Sequence, residues 1–314
     1  MKLTRFLLVQ ISTLLLHSTV FASPDYETLK AELKERASRG VDLYAEEYKG
    51  IRKSSRFPEA VYQDERYVLL DNFRDLGDRG MEGIEDPVWT SALIDTSKVK
   101  RVLWMMCVFV IKVGPLKYDA GHAQMVFEFE NGGAILADRE LDGIVNSFEI
   151  MPAQGEVYDP IGKGMKRYYD NSCTLGSKRF SFLASASRDS RIEIYTLDLT
   201  KEEMVRLLKI SLKEAFDKES IRANKYHTTR NSCVTNQFRI LNLFLPEKIR
   251  IPEWKRIFGL KYRRTFGTIV PRRVKNTLRK HKIITKEEIY KCPDEAMVYL
   301  DQMKKRTIFS TLYK

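Results

Sequence analysis

GHAQMVFEFE, residues 121–130, alternates apolar and polar side chains from His122 to Glu130, with Ala123, Met125, Phe127 and Phe129 on one face. A period of two belongs to a strand half-buried against a core. His122 opens this strand on the opposite face. The preceding run, Val99 to Val113, is apolar enough for a fully buried strand, and its Val102 to Ile111 segment has about half the length a membrane-spanning helix needs. Gly114-Pro115 is a turn signal that joins the two as a hairpin or as neighbouring strands. Asn131-Gly132-Gly133 is a second turn, after which Ala134 to Leu141 is expected to return as a third strand. Phe180 to Ala186 and Arg191 to Leu197 read as further strands.

Helical spacing appears on either side of these strands. Ser23-Pro24-Asp25 can cap a helix running to about Lys53, with Leu29, Leu33, Val41 and Tyr44 at roughly helical intervals, and mixed, charged sequence follows to Thr96. Thr200 and Glu203 form a capping-box pattern ahead of Met204, Leu208, Leu212 and Ala215. Asn231 or Ser232 can cap another helix, with Val234, Phe238, Leu241 and Leu245 on one face and an end near Pro246. The expected fold is α+β, an antiparallel sheet packed against helices, with a helical N-terminal segment and a basic C-terminal subdomain.

Residues 1–22 read as a secretory signal peptide. Lys2 and Arg5 precede an apolar run from Phe6 to Leu16, and Val20-Phe21-Ala22 supplies small residues for cleavage. The expected location is the periplasm or the exterior. Charge is concentrated near the C-terminus: residues 246–314 hold 19 Lys and Arg against 7 Asp and Glu, a net of +12, while residues 23–245 hold 33 against 35, a net of −2. Such a patch favours an anionic partner. In an exported protein that partner is a membrane or glycan surface of the envelope rather than nucleic acid. The basic segment reads as an addition that residues 99–245 do not need for folding.

Two short motifs carry the candidate chemistry, Gly121-His122 on the strand and Asn231-Ser232-Cys233 at a helix start. A thiol in a first helical turn meets the positive end of the helix dipole, and an imidazole nearby can hold or take its proton. Three roles are open to Cys233: a nucleophile, half of a disulfide with Cys173 in an oxidising compartment, or an inert core thiol. Asn171-Ser172-Cys173 echoes the tripeptide at 231–233 and suits the disulfide as well as catalysis does. Cys107 sits in an apolar strand and reads as core, and Cys292 is uninformative. His227 competes for the role of base, although a solvated loop is its expected place, and His281 lies in the basic segment. The histidines and cysteines lack metal-ligand spacing, and no phosphate-cradling loop stands out, so neither a metal nor a cofactor is expected.

Gly121-His122-Ala123, Arg191 to Tyr195, Leu197 to Glu203, Tyr226 and Asn231 to Thr235 occur in an order that resembles the Lnb N-terminal periplasmic domain family. The resemblance covers about residues 99–245. It implies a circularly permuted papain-like core, in which the His strand precedes the Cys helix, as in relatives of lecithin retinol acyltransferase and some NlpC-type peptidases. It would make Cys233 the nucleophile and His122 the proton carrier. A polar residue on the following strand would orient the imidazole, with Asp138 as first candidate and Glu140 as second. The family usually places Asn directly before Cys, whereas Ser232 intervenes here. The implied activity is a cell-envelope thiol hydrolase or acyltransferase acting on an amide or ester. The alternative is a non-catalytic chaperone or binding module that makes contact through its basic segment. The implied organisation is a signal peptide at 1–22, a helical segment at 23–98, the family domain at 99–245 and the basic subdomain at 246–314.

Overall fold

The computed structural model describes residues 23–39, 47–84, 86–113, 115–160, 162–188, 190–246, 254–257, 260–263 and 270–290. The leader at 1–22, Cys292 and much of the basic segment lie outside them. In chain order the elements are α1 (Tyr26–Arg39), β1 (Glu59–Gln63), β2 (Tyr67–Asp75), β3 (Val88–Asp95), β4 (Val99–Val113), β5 (Leu116–Phe129), β6 (Ala134–Ile135), β7 (Gly143–Met151), β8 (Asp170–Ser177) and α2 (Lys178–Ala186). There follow β9 (Arg191–Leu197), α3 (Lys201–Phe216), α4 (Lys218–Ala223), α5 (Cys233–Phe244), β10 (Trp254–Ile257), β11 (Leu260–Arg263), α6 (Pro271–Lys280) and β12 (Ile284–Tyr290). The fold is α+β, and its main sheet has ten strands in the order β12-β9-β4-β5-β7-β8-β2-β3-β6, with β1 paired to β2. All its pairings are antiparallel except β2 with β8.

The long hairpin of β4 and β5 is the spine of the sheet, and its register pairs Cys107 with His122 and Met106 with Ala123. Alternation sends the two sides of each strand to different cores. Ala123, Met125 and Phe127 of β5 pack with Trp104 and Met106 of β4, Leu207, Leu208 and Leu212 of α3, and Val234, Phe238 and Leu241 of α5. Trp104 is fully buried, and its ring lies 5.0 Å from that of Phe238. On the other face Leu103, Met105, Cys107, Val126, Val145, Ile192 and Ile194 pack against Phe182 of α2. The capping box of α3 forms as its sequence predicts: the Glu203 N–H donates to Thr200 Oγ1 at 3.3 Å, and the Thr200 N–H donates to Glu203 Oε2 at 2.8 Å.

Several expectations are corrected. The first helix ends at Arg39, and Glu47 to Gly50 form a turn rather than a continuation toward Lys53. The charged stretch before Thr96 contributes β1, β2 and β3; β2 is buried at every position from Val68 to Asp75, polar residues included, and so shows no period of two. Ala134 to Leu141 yields only the two residues of β6, paired with β3, and the neighbour of β5 is β7. Phe180 to Ala186 is helical: Ser177 caps the turn by accepting the Phe180 N–H at 3.1 Å, and the run is buried on every side, so it shows neither period clearly. Beyond Pro246, β12 pairs with β9 at one end of the main sheet.

Gly121 is required by packing. A Cβ there would overlap the Met106 sulfur and touch Pro271 Cγ at 3.0 Å. Gly121→Ala is expected to lower stability by about 1–3 kcal/mol, the usual penalty of overpacking. Adding Met106→Ala should recover part of that loss in urea unfolding, since the strand backbone itself accepts alanine; a double variant no better than the sum of its parts would exclude the clash as the cause.

Candidate functional site

The start of α5 is held by its own polar residues. The Asn231 side chain donates to the carbonyls of Asn224 and Lys225 at 2.8 and 3.0 Å and accepts from Asn236 at 3.0 Å, which fixes the turn entering the helix. Ser232 is the N-cap: its N–H donates to Thr235 Oγ1 at 2.7 Å, and Thr235 N–H returns a long contact to its hydroxyl. The residue that intervenes between Asn and Cys thus has a structural task, and Cys233 is the first helical residue.

The Cys233 thiol is 6% exposed. Burial raises its pKa to about 11, against the pull of backbone N–H groups from Ala123, Val234 and Cys233 itself. Desolvation therefore outweighs the helix-start effect that the sequence suggests. Cys233 nevertheless packs in the same core as Ala123 of β5, the chain neighbour of His122. Tyr158 and Tyr226, hydroxyls 3.1 Å apart, stand close enough to feel its charge. Tyr158 belongs to the β7–β8 loop, which is pinned to the α4–α5 turn where Thr228 Oγ1 donates to the Pro160 carbonyl at 2.6 Å and the Thr228 N–H to that of Gly164 at 3.1 Å.

His122 points to the α2 face, opposite to Ala123, and its Nε2 lies 2.9 Å from Ser147 Oγ on β7. Gln124 Nε2 donates to the same hydroxyl at 3.0 Å. Glu149, two residues further along β7, is held by Arg74 through contacts of 2.7 and 3.1 Å and by Thr174 Oγ1 at 3.2 Å. Burial would raise the Glu149 pKa, but Arg74, His122 and the Ser147 hydroxyl bring it down to about 2. Burial lowers the His122 pKa to about 4, so the ring is neutral near pH 7. Across the hairpin, Cys107 shares the His122 face with its sulfur 2.9 Å from Ser185 Oγ, and burial raises its pKa to about 12.

Asp138 is not brought to the imidazole. It sits on an exposed turn after the edge strand β6, and its carboxylate pairs with Arg139. Glu140 instead accepts the Gly132 N–H at 2.9 Å. The returning strand that would have carried either of them alongside His122 is β7, and Ser147 occupies the place beside the ring. His227 is buried rather than solvated, with Nδ1 accepting the Thr229 N–H at 3.2 Å. Cys107, Cys173 and Cys233 are free thiols, and Cys173 contacts Asn146 Oδ1 at 3.8 Å in the core, so the 173–233 disulfide does not form. Ser147 and Glu149 escaped the sequence reading because Ile144, Val145, Asn146, Ser147, Phe148 and Glu149 do not alternate apolar and polar residues. Among the described residues no group of three or more His, Cys, Asp or Glu could hold a metal ion.

With this geometry in place, the sequence profile of the Lnb N-terminal periplasmic domain family matches residues 85–258, more than half of the 314-residue chain. The chain belongs to that family. The Lnb N-terminal match begins before β3 and runs past α5, so it includes the β4–β5 hairpin, the polar cluster on β7 and the Cys233 helix. No curated protein and no solved structure matches the chain. Membership in a family of periplasmic domains fits an exported protein, and among the described residues no helix is long and apolar enough to cross a membrane.

Proposed function

We propose that this protein is an exported cell-envelope thiol hydrolase or acyltransferase acting on an amide or ester, built on a permuted papain-like core. The supporting observation is that Cys233, the first residue of α5, packs in the same core as Ala123, the chain neighbour of His122. In this reading the thiol proton passes to the His122 ring and the sulfur forms a bond to the carbonyl carbon. Helix-start N–H groups stabilise the oxyanion. Collapse breaks the bond to the alcohol or amine, which leaves with the proton from His122; water or an acceptor then attacks the thioester and returns the thiol. At rest the imidazole faces Ser147 on the α2 side of the sheet and the thiol lies on the α5 side, so proton transfer between them requires β5 to rearrange around His122.

p-Nitrophenyl acetate, an activated ester, tests this directly. An acetyl adduct on Cys233 by mass spectrometry, absent in Cys233→Ala and slowed in His122→Ala, is the expected result. Adducts on Cys107 alone, or none with the native fold intact, would exclude Cys233 as the nucleophile. The second reading, a non-catalytic binding module or chaperone, draws support from the buried, protonated thiol and from the sheet that lies between it and the imidazole.

Either reading accommodates an anionic envelope surface. On α6, Arg272, Arg273, Arg279 and Lys280 are exposed, while Val274 and Leu278 anchor the helix in the core. Vesicles containing phosphatidylglycerol are expected to co-sediment the protein at low salt and release it at high salt, since exposed charges are screened within about 8–10 Å. Arg272→Glu with Arg273→Glu should abolish that binding; retention at high salt, or by the double variant, would count against it.

A further inference from the structure

We propose that β12 pairs edge to edge with the β12 of a second copy of this chain, antiparallel and two-fold symmetric about Glu287, so that two sheets become one. The proposal is independent of the thiol chemistry and rests on the register of a single strand.

β12 is the end strand of the main sheet, and among the described residues no strand pairs with its outer edge. Such an edge is a template for another chain. Charge along it repels a second copy only where like meets like. β12 carries both signs: Lys286 pairs with Glu288 along the strand at 2.5 Å, and the two side chains are 68% and 40% exposed.

From Lys286 to Tyr290 the strand runs against β9 without a break, so alternation places Lys286 and Glu288 on one face and Glu287 and Ile289 on the other. A two-fold axis normal to the sheet leaves every residue on its own face, and only residues of the same face then stand opposite one another. The central registers that satisfy this have the axis on Lys286, on Glu287 or on Glu288. The first sets Lys286 against Lys286, and the last sets Glu288 against Glu288. The middle one sets Lys286 of each copy against Glu288 of the other, twice over, and opposite charges across a strand pair stabilise it where like charges repel. It also brings the two Glu287 residues together. Their charge is already met, because Lys275 and Arg279 of α6 both hold that carboxylate, the latter at 2.6 Å. Ile289, 64% exposed, gains a strand beside it.

Because the axis preserves faces, both α6 helices lie on the same side of the joined sheet. Their exposed Arg272 and Arg273 then make one bivalent cationic surface, and attachment at two points is tighter than at one.

Sedimentation velocity of the purified protein across a concentration series tests the pairing. A reversible equilibrium between monomer and dimer is expected. Lys286→Glu or Glu288→Lys alone should weaken the dimer about tenfold, since two cross-strand pairs turn from attractive to repulsive. Mixing the two single variants should restore it as a heterodimer, because every contact in the mixed pair is again between opposite charges. The double variant, Lys286→Glu with Glu288→Lys, should dimerise like the unaltered protein, and it keeps the test decisive if either single variant is unstable. A protein that stays monomeric at every concentration, a dimer indifferent to the single variants, or a double variant that remains monomeric overturns the proposal.

Discussion

At pH 5 the protein is expected to unfold at a clearly lower urea concentration than at pH 7, and at pH 3 to lose stability further. The sign follows from two groups whose folded pKa values both lie below their ordinary ones. His122 falls from 6.5 to about 4 because burial disfavours the charged ring. Between those values the unfolded chain binds a proton that the folded one does not, so stability is full above pH 6.5 and is lost as pH falls toward 4. Glu149 falls from 4.5 to about 2, burial being outweighed by Arg74, and so sustains stability above pH 4.5 that disappears on the way to pH 2. Its displacement corresponds to about 3 kcal/mol. Glu149→Gln should cost about 3–5 kcal/mol at pH 7, because it leaves Arg74 charged and buried without its carboxylate. His122→Asn should remove the upper part of the pH response while leaving the lower. A urea midpoint equal at pH 7 and pH 5 would show that His122 is not held as described, and one equal at pH 5 and pH 3 would show the same of Glu149.

Cys233 is expected to react with iodoacetamide on the order of 100-fold more slowly than free cysteine near pH 7.5, because a thiol with a pKa near 11 is almost wholly protonated there. Cys107, with its pKa near 12, should be slower still. After unfolding in urea both should label at the ordinary rate. The contrast matters because the helix start and a nearby imidazole, taken by themselves, predict a hyper-reactive thiol. The helix dipole contributes through a few N–H groups, whereas removal of water acts on the whole anion. Loosening the surroundings should raise reactivity: Tyr158→Ala removes the hydroxyl contact with Tyr226 and should speed labelling at Cys233 with little change at Cys173. Rapid labelling in the unaltered protein would show that the thiol is not shielded in solution.

The parts legible from sequence were those whose signals are local. The alternation of residues 122–130, the buried run of β4, the Thr200–Glu203 box and the Ser232 start of α5 each specify themselves through a period or a cap, and each is present. The family resemblance was also legible, through motifs clustered on those same elements. What could not be read was set by partners distant in sequence. The all-round burial of α2 comes from the sheet above it, β12 is defined by its partner β9, and the neighbour of His122 is decided by which strand comes to lie beside β5. The same dependence misplaced the orienting residue: Asp138 is nearer in sequence than Ser147, but the chain turns away at Ile135 and pairs with β3 before returning as β7.

The position of β12 bears on the order in which this chain acquires its shape. A nascent chain emerges from its N-terminus, so residues 191–197 appear well ahead of residues 284–290. Until the later segment arrives, β9 presents one side of its backbone to solvent with its N–H and C=O groups unmatched, a template for pairing with another chain. The sheet can therefore be completed only after residues 284–290 have emerged, and the cationic helix α6, just before that strand, arrives with it. Charge close to β9 at that stage keeps nascent copies apart while its edge is open.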